Sequence, residues 1–181
     1  VFKGSLNKEI FALGTNQGRI ITAEIRMIPQ YEDNQRFIEP SLIIIDTFMV
    51  TLPAETELNH IEKITFCQNE DGNLYWSWLD HLGNLHLKIS LSEEEISYDY
   101  LLTGYLGEEK VSTFTLGFDG EKLIVGSQTG ELFWFDLKDE EEIYLRQNWK
   151  SSQSAISALA FLIGDNSLVI GDQKGMIEVW F

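Results

Sequence analysis

A hairpin-like pattern recurs along this chain of 181 residues and constrains its fold more than any other feature. Each copy is a short run of β-branched or aromatic residues, a polar turn that closes on glycine, and a second such run. The copies align on Gly18, Gly83, Gly130 and Gly175. Glycine suits such a turn because it adopts a positive φ angle without steric cost. The pattern therefore predicts a chain built from repeated antiparallel hairpins.

The spacing of these four structural glycines indicates how much chain each repeat uses. Successive glycines are 65, 47 and 45 residues apart. A period of about 40–45 residues is typical of the four-stranded blades of a β-propeller. The longer first interval indicates an insertion of about 20 residues relative to that period. We place this insertion in a long hairpin at about 26–55.

Further strand-like runs flank the hairpins at residues 111–116, 156–162, 96–102 and 143–149. After the third glycine, Leu132 and Trp134 alternate with Phe133 and Phe135, so both faces of that strand are apolar. A sheet packed between two neighbouring sheets needs two apolar faces. We therefore predict an all-β fold, a propeller fragment with about four blades of antiparallel strands. Residues 1–181 would form a single, incomplete propeller-like domain.

The repeats resemble those of the WD40 family. Phe135-Asp136 and Val179-Trp180 stand where the Trp-Asp dipeptide of that family lies. WD40 repeats usually also carry Asp directly before the turn glycine and an upstream Gly-His, which together build a buried polar network. The residues that precede the four glycines here are Gln17, Leu82, Thr129 and Lys174. We therefore expect a WD40-like propeller shape without that network.

A narrower resemblance lies near the N-terminus. The run from Phe11 to Arg19 contains Ala-Leu-Gly and is followed by a Tyr-x-Asp-x-x-Arg-x-Ile-x-Pro stretch. The residues that carry this stretch are Tyr31, Asp33, Arg36, Ile38 and Pro40. The two segments together resemble the large extra domain of enlarged bacterial phosphate ABC-transporter permeases of the PstC type. The resemblance implies a domain between the first two membrane helices of such a permease, on the periplasmic side of the inner membrane.

On this resemblance we expect a non-catalytic interaction or regulatory domain of a phosphate import system. Its partner would be a protein, either another transporter subunit or a periplasmic substrate-binding protein. The domain itself would be soluble, while its parent chain is embedded in the membrane. The chain begins at Val1 rather than Met and ends within a strand-like run, so we expect a fragment of a longer protein. Open strand edges would then let the isolated fragment self-associate.

The charge of the chain excludes two classes of partner. Thirteen Lys and Arg against 29 Asp and Glu give a net charge of −16, which disfavours binding to nucleic acid or to an anionic membrane surface. Acidic runs recur before the outer strand of successive repeats: Glu93, Glu94 and Glu95, then Asp139, Glu140, Glu141 and Glu142. We expect a solvated rim there. The alternative is an acidic surface that recognises a partner.

No constellation of catalytic or ligand-binding residues stands out. Cys67 lies in an apolar run and is expected to be a buried hydrophobe. His60, His81 and His86 lack the partners of a usual metal site, and His81 and His86 should splay across their turn. We therefore expect no enzyme activity, no cofactor and no metal. The alternative is a free-standing propeller that binds a ligand, or acts as an enzyme, through its central channel.

Phosphate capture by this domain itself would need clustered basic residues. Arg19, Arg26 and Arg36 form the one early group of arginines. We expect Arg36 instead to pair with Asp33 or Glu39 and to hold the long hairpin together.

Overall fold

Strands make up most of the chain that the computed structural model describes, which is residues 2–5, 8–33, 35–50, 60–93 and 96–181. Within these ranges there are fifteen β-strands and a single turn of 3₁₀ helix, Thr103–Tyr105. No helix in these ranges is long and apolar enough to span a membrane. The prediction of an all-β fold is confirmed.

The strands form four antiparallel sheets in chain order. The first sheet contains β1 (Phe2–Ser5), β2 (Lys8–Gly14), β3 (Arg19–Glu32) and β4 (Gln35–Met49). The second contains β5 (Ile61–Gln68), β6 (Leu74–Asp80), β7 (Leu85–Ser90) and β8 (Ser97–Leu101). The third contains β9 (Val111–Leu116), β10 (Lys122–Ser127), β11 (Glu131–Asp136) and β12 (Tyr144–Lys150). The fourth contains β13 (Ile156–Phe161), β14 (Leu168–Asp172) and β15 (Ile177–Trp180).

The four repeat glycines occupy one equivalent place, the turn between the second and third strands of each sheet. Their φ angles are +71°, +85°, +95° and +84° for Gly18, Gly83, Gly130 and Gly175. Three positions before each glycine stands a polar residue whose side-chain oxygen accepts N–H groups from two and four positions further on. These residues are Thr15, Asp80, Ser127 and Asp172. Each turn thus satisfies its own backbone donors.

The sheets pack face to face in chain order, and each junction has its own apolar cluster. Ile20, Trp76 and Trp78 lie between the first and second sheets, where the Trp76 indole also donates to Thr22 Oγ1 at 2.7 Å. A larger cluster joins the second and third sheets, and a smaller one, around Ile156, joins the third and fourth. Strand β5 contacts β2 and β9, and β9 contacts β13. The first strands of the last three sheets therefore lie side by side.

The two long strands of the first sheet extend well beyond it as a two-stranded ribbon. Strands β3 and β4 have 14 and 15 residues, and Arg26 opposite Ser41 marks the base of the ribbon. Near the sheet, Ile20 and Ala23 are buried, whereas most side chains beyond Arg26 are exposed. This ribbon is the described part of the hairpin predicted at about 26–55; residues 51–59 lie outside the described ranges.

Candidate interaction surfaces

The tip of the ribbon carries the residues of the Tyr-x-Asp-x-x-Arg-x-Ile-x-Pro stretch. Tyr31 lies opposite Arg36, Ile38 opposite Pro29, and Pro40 opposite Met27. Asp33 forms the turn with a φ of +49°, a left-handed conformation that Asp tolerates better than most residues. Tyr31 is 73% exposed and Ile38 57%. The tip therefore presents aromatic and aliphatic side chains to the solvent.

The prediction that Arg36 forms an ion pair within the ribbon is wrong. Among the described residues, no carboxylate lies within salt-bridge distance of Arg36, and neither Asp33 nor Glu39 reaches it. The strand register explains why, because residues three apart on a strand point to opposite faces. Arg36 faces Tyr31 across the ribbon, whereas Glu39 faces Ile28.

The three early arginines do not form an anion site. Arg26 instead binds Glu24, with 2.5 Å between its Nε and Glu24 Oε1. Arg19 lies seven residues earlier on the same strand, which is about 23 Å away at the rise of a β-strand. Arg36, opposite Tyr31, lies about 16 Å beyond Arg26 by the same measure. Cations this far apart cannot share one phosphate group.

The acidic runs lie between the third and fourth strands of the second and third sheets. Glu93 follows β7, and the run from Asp139 to Glu142 follows β11. Glu94 and Glu95 lie outside the described ranges. Glu93, Glu140 and Asp71 line one small groove. The structure therefore brings Glu93 of the first run and Glu140 of the second into the same groove.

Tyrosines of the second sheet hold the run from Asp139 to Glu142 in place. Tyr98 Oη donates to Glu141 Oε1 at 3.1 Å, and Tyr100 Oη donates to the Glu140 backbone oxygen at 2.5 Å. Burial, followed by the nearby charge of Asp139, raises the pKa of Tyr100 above its ordinary value, so this phenol keeps its proton. Asp139, Glu141 and Glu142 remain exposed, so tyrosines position the run while most of its carboxylates face the solvent.

A second and larger groove at the same end has a volume of about 660 Å³. Its charged lining residues are Glu70, Asp71, Asp119, Glu121, Lys138, Glu140 and Asp165. Lys138 Nζ lies 3.1 Å from Glu121 and offsets part of this negative charge. Among the described residues, no group of three or more His, Cys, Asp or Glu side chains is arranged to hold a metal ion. The groove is therefore a surface of net negative charge without a metal geometry.

The three histidines gather near the turn of Gly83 but face different partners. His86 Nε2 lies 3.0 Å from Asp80 Oδ2, and the His86 ring stacks on Trp78 with 5.1 Å between ring centroids. His81 stacks on His60 at 5.0 Å. His81 and His86 thus splay apart across the turn, as predicted. Cys67 is buried, as expected.

A buried polar network, which sequence analysis missed, ties the fourth sheet to the segment before it. Asp172 Oδ2 accepts hydrogen bonds from Ser152 Oγ at 2.5 Å and from Ser154 Oγ at 2.8 Å. The Ser152 hydroxyl has the largest effect on the carboxyl group and lowers the pKa of Asp172 to about 2. This network is built from serine hydroxyls and an aspartate three places before the turn glycine, so it differs from the Asp and Gly-His network of WD40 repeats. The detectable signal was a polar residue three places before every turn glycine, not one place before.

Sequence analysis also missed an aromatic cleft between the third and fourth sheets. Its volume is about 400 Å³, and Trp134, Trp149, Phe161 and Trp180 line it. Trp149 and Trp180 contact each other with 5.3 Å between ring centroids, and the Arg146 guanidinium lies 4.8 Å from the Trp134 ring centre. The aromatic residues of β11 and β12 were the available signal. Trp180, the ring partner of Trp149, lies 31 residues further along the chain.

The first strands of the second and third sheets meet through Lys63 and Thr113 rather than through carboxylates. Lys63 Nζ donates to Thr113 Oγ1 at 2.5 Å and lies 5.7 Å from the centre of the Phe114 ring. Burial lowers the pKa of this lysine. No protein-family model matches the chain, and no curated protein matches its sequence.

Proposed function

We propose that the four sheets are successive blades of a WD40-like β-propeller and that the chain works as a protein-interaction domain rather than as an enzyme. The observation that carries this proposal is the repetition of one unit, an up-and-down meander of three or four strands with its glycine turn between the second and third strands. Neighbouring sheets pack face to face, and strands β5, β9 and β13 lie side by side. Propellers arrange their blades in this way around a central axis.

The ribbon tip and the acidic end are the surfaces that would contact a partner. Tyr31, Phe37 and Ile38 are exposed at the tip, and exposed apolar clusters commonly mark interaction sites. Aromatic anchors such as Tyr31 often dominate the free energy of protein association. The acidic end would favour a basic surface on the partner and would speed its approach. A partner with an apolar groove beside basic residues fits both surfaces.

We further propose that this domain belongs to a phosphate ABC-transporter permease of the PstC type. It would face the periplasm at the bacterial inner membrane and contact a transporter subunit or a substrate-binding protein. The stretch from Tyr31 to Pro40 supports this role, because its family-like residues lie at an exposed tip that a partner can reach. Regulation through such a contact requires no catalytic group in the domain.

A membrane topology experiment tests the transporter role. An epitope tag is placed at Asp33 in the full-length protein, which is produced in its own bacterium. We expect the tagged protein in the membrane fraction, even after an alkaline wash. Protease added to spheroplasts should remove the tag while a cytoplasmic marker stays intact. A tag that survives protease, or a protein found in the soluble fraction, would contradict the proposal.

A binding experiment tests the interaction role separately. The probe is the periplasmic phosphate-binding protein of the same bacterium, titrated onto the purified 181-residue chain. The Tyr31→Ala variant should bind at least about tenfold more weakly, because an aromatic anchor is lost. Leu82→Ala serves as the matched control, since Leu82 is also exposed but lies in a turn of the second sheet. Equal affinities of the two variants would exclude the ribbon tip as the contact.

A further inference from the structure

The fourth sheet has one face that packs on the third sheet and one that none of the described strands covers; we refer to the second as the open face. Strand register places Ala160, Val169 and Val179 on the open face, next to Gly171 and Ile177. Ile177 is 74% exposed. None of these five residues is charged. Its small and branched aliphatic side chains are typical of a sheet face that another sheet covers.

Two junctions inside the molecule show how such a face receives the next sheet. A glycine stands four residues before the turn glycine of the first and third sheets, at Gly14 and Gly126. A Cβ atom on Gly14 would lie 2.7 Å from Ile61, and one on Gly126 would lie 2.7 Å from Ile156. Each isoleucine is the first residue of the first strand of the following sheet. The missing side chain of the glycine therefore makes a socket for that isoleucine.

The junction between the second and third sheets uses the same two positions, but here the earlier sheet supplies a large side chain instead of glycine. Leu79 takes the place of the glycine, four residues before Gly83. The first residue of the next first strand is then the smaller Val111, and both belong to one apolar cluster. Because protein interiors are closely packed, a larger side chain on one surface requires a smaller one opposite it. The same two positions therefore take part in all three junctions.

A serine hydroxyl adds a polar contact at the junction of the third and fourth sheets. Ser112 is the second residue of β9. Its Oγ lies 2.9 Å from the Gly126 carbonyl oxygen and 2.6 Å from the Ile156 carbonyl oxygen. The hydroxyl therefore links the socket glycine to the backbone of the isoleucine that fills the socket.

The open face of the fourth sheet repeats both features. Gly171 stands four residues before Gly175, and a Cβ atom there would approach nothing closer than Ala158 Cβ at 3.5 Å. Ser157 is the second residue of β13, as Ser112 is of β9. Its Oγ donates to the Gly171 carbonyl oxygen at 3.2 Å and remains exposed. The socket and the hydroxyl are therefore formed, and no side chain of the described residues enters the socket.

We infer that this face binds another antiparallel sheet of the same repeat, whose first strand begins with isoleucine or valine. The side chain of that residue would enter the Gly171 socket, and its backbone carbonyl oxygen would share the single Ser157 hydroxyl proton with the Gly171 carbonyl oxygen. Ile61, Val111 and Ile156 supply the pattern, since each begins a first strand in this chain. The inference rests on the propeller part of the proposed function and not on the transporter part.

The test adds one more repeat, of known sequence, after the fourth sheet so that it can pack on the open face. A second copy of residues 137–181 is appended to the 181-residue chain, which keeps the spacing of 45 residues between the last two glycines. We expect the appended copy to resist protease. Hydrogen exchange of β15 should also become slower than in the 181-residue chain, because the open face is covered. The membrane topology experiment tests only the transporter role, so its failure would leave the expected protection of the appended copy unchanged.

Matched alanine substitutions test the socket itself. Gly171→Ala should leave the 181-residue chain as stable as before, since its Cβ meets no close atom. In the extended protein the same substitution should release the appended copy to protease. Gly126→Ala should lower the unfolding midpoint of both proteins, because Ile156 already fills that socket.

Three outcomes would overturn the inference. In the first, the appended copy is digested as fast as an unfolded chain. In the second, Gly171→Ala leaves a protected copy in place. In the third, the 181-residue chain forms a dimer that Gly171→Ala abolishes, which would assign the face to a second copy of this chain.

Discussion

Gly130 and Gly175 occupy equivalent turns, but only Gly130 is closely surrounded by other backbone atoms. Gly130 and Gly175 have φ angles of +95° and +84°. A Cβ atom on Gly130 would lie 2.2 Å from the Ser152 carbonyl oxygen, whereas one on Gly175 would meet nothing within 4 Å. Gly175→Ala should therefore cost only the left-handed backbone, about 1–2 kcal/mol. Gly130→Ala should cost about 1–3 kcal/mol more, because the backbone at Ser152 must move.

Urea unfolding of the two variants measures this difference in free energy. Each substitution adds one methyl group at the same place in its turn, so each variant is the control for the other. Equal losses of stability would mean that the segment at Ser152 does not press on the turn of Gly130.

The Asp172 network predicts a dependence of stability on pH. The pKa of Asp172 is about 2 in the folded chain, against an ordinary value of 3.8. A lowered pKa stabilises the fold above the ordinary value, and this contribution is lost as the pH falls toward 2. The stability advantage of the wild-type chain over Asp172→Asn should therefore shrink between about pH 4 and pH 2. Urea unfolding at a series of pH values measures it.

Asp165 provides a control of opposite sign. Burial raises the pKa of Asp165 above its ordinary value, so its contribution to stability is present at low pH and is lost as the pH rises. The difference between the wild-type chain and Asp165→Asn should therefore favour the wild type more at low pH. A common trend for both variants would show that general acid unfolding, and not these two carboxyl groups, sets the dependence.

Residue-level prediction from the sequence succeeded where the determinant was local. The four glycines require positive φ because of the turns in which they lie, and the turn lies within a few residues of each glycine. The partners of Asp172 were not predictable in this way. Ser152 and Ser154 precede it by 20 and 18 residues, and only the packing of the sheet brings them to the carboxylate.

At the scale of elements, the ribbon should be separable from the sheet that bears it. Most side chains beyond Arg26 are exposed, and Arg26 lies directly opposite Ser41. Replacing residues 27–40 by Asn-Gly would close the two strands with a two-residue turn. The free energy of unfolding should change by no more than about 0.5 kcal/mol, as for surface changes generally. Binding to the phosphate-binding protein should be lost.

Thermal and urea unfolding measure the stability of the shortened chain, and the titration described above measures its binding. A substitution at the base gives the contrast, because Ile20 is fully buried. Ile20→Ala should cost about 2–5 kcal/mol, as large-to-small changes in a core do. A shortened chain that is as unstable as Ile20→Ala would mean that the ribbon supports the sheet.

Element boundaries followed from the sequence more closely than contacts between elements did. The predicted strand 111–116 coincides with β9, and 143–149 differs from β12 by one residue at each end. Alternation of apolar residues and flanking turns determines such boundaries locally. The ion pair expected for Arg36 failed because it depended on strand register, which one residue of shift inverts.

At the scale of the whole molecule, the chain exposes more surface than its mass requires. Its accessible surface is 10831 Å², whereas a compact monomer of 20.8 kDa would expose about 8,900 Å². The protruding ribbon and the outer faces of the first and fourth sheets are apolar regions that contribute to this exposure.

The first sheet is where we predict that isolated copies associate. Leu42 and Ile44 lie on its outer face and are 64% and 63% exposed, and β4 is a long edge strand without a neighbour on its other side among the described strands. Such edges readily pair with another chain. The charge of −16 on each copy opposes this contact at low ionic strength. Association should therefore increase with salt, which screens the repulsion.

Sedimentation equilibrium of two isoleucine variants tests where the contact lies. Ile44→Lys places a charge on the outer face of the first sheet and should shift the chain toward monomer. Ile163→Lys makes the same chemical change at a fully exposed turn of the fourth sheet and should leave association unchanged. The two variants have the same net charge, so long-range repulsion cannot account for a difference between them. A chain that stays monomeric in high salt, or an equal shift in both variants, would contradict the contact through the first sheet.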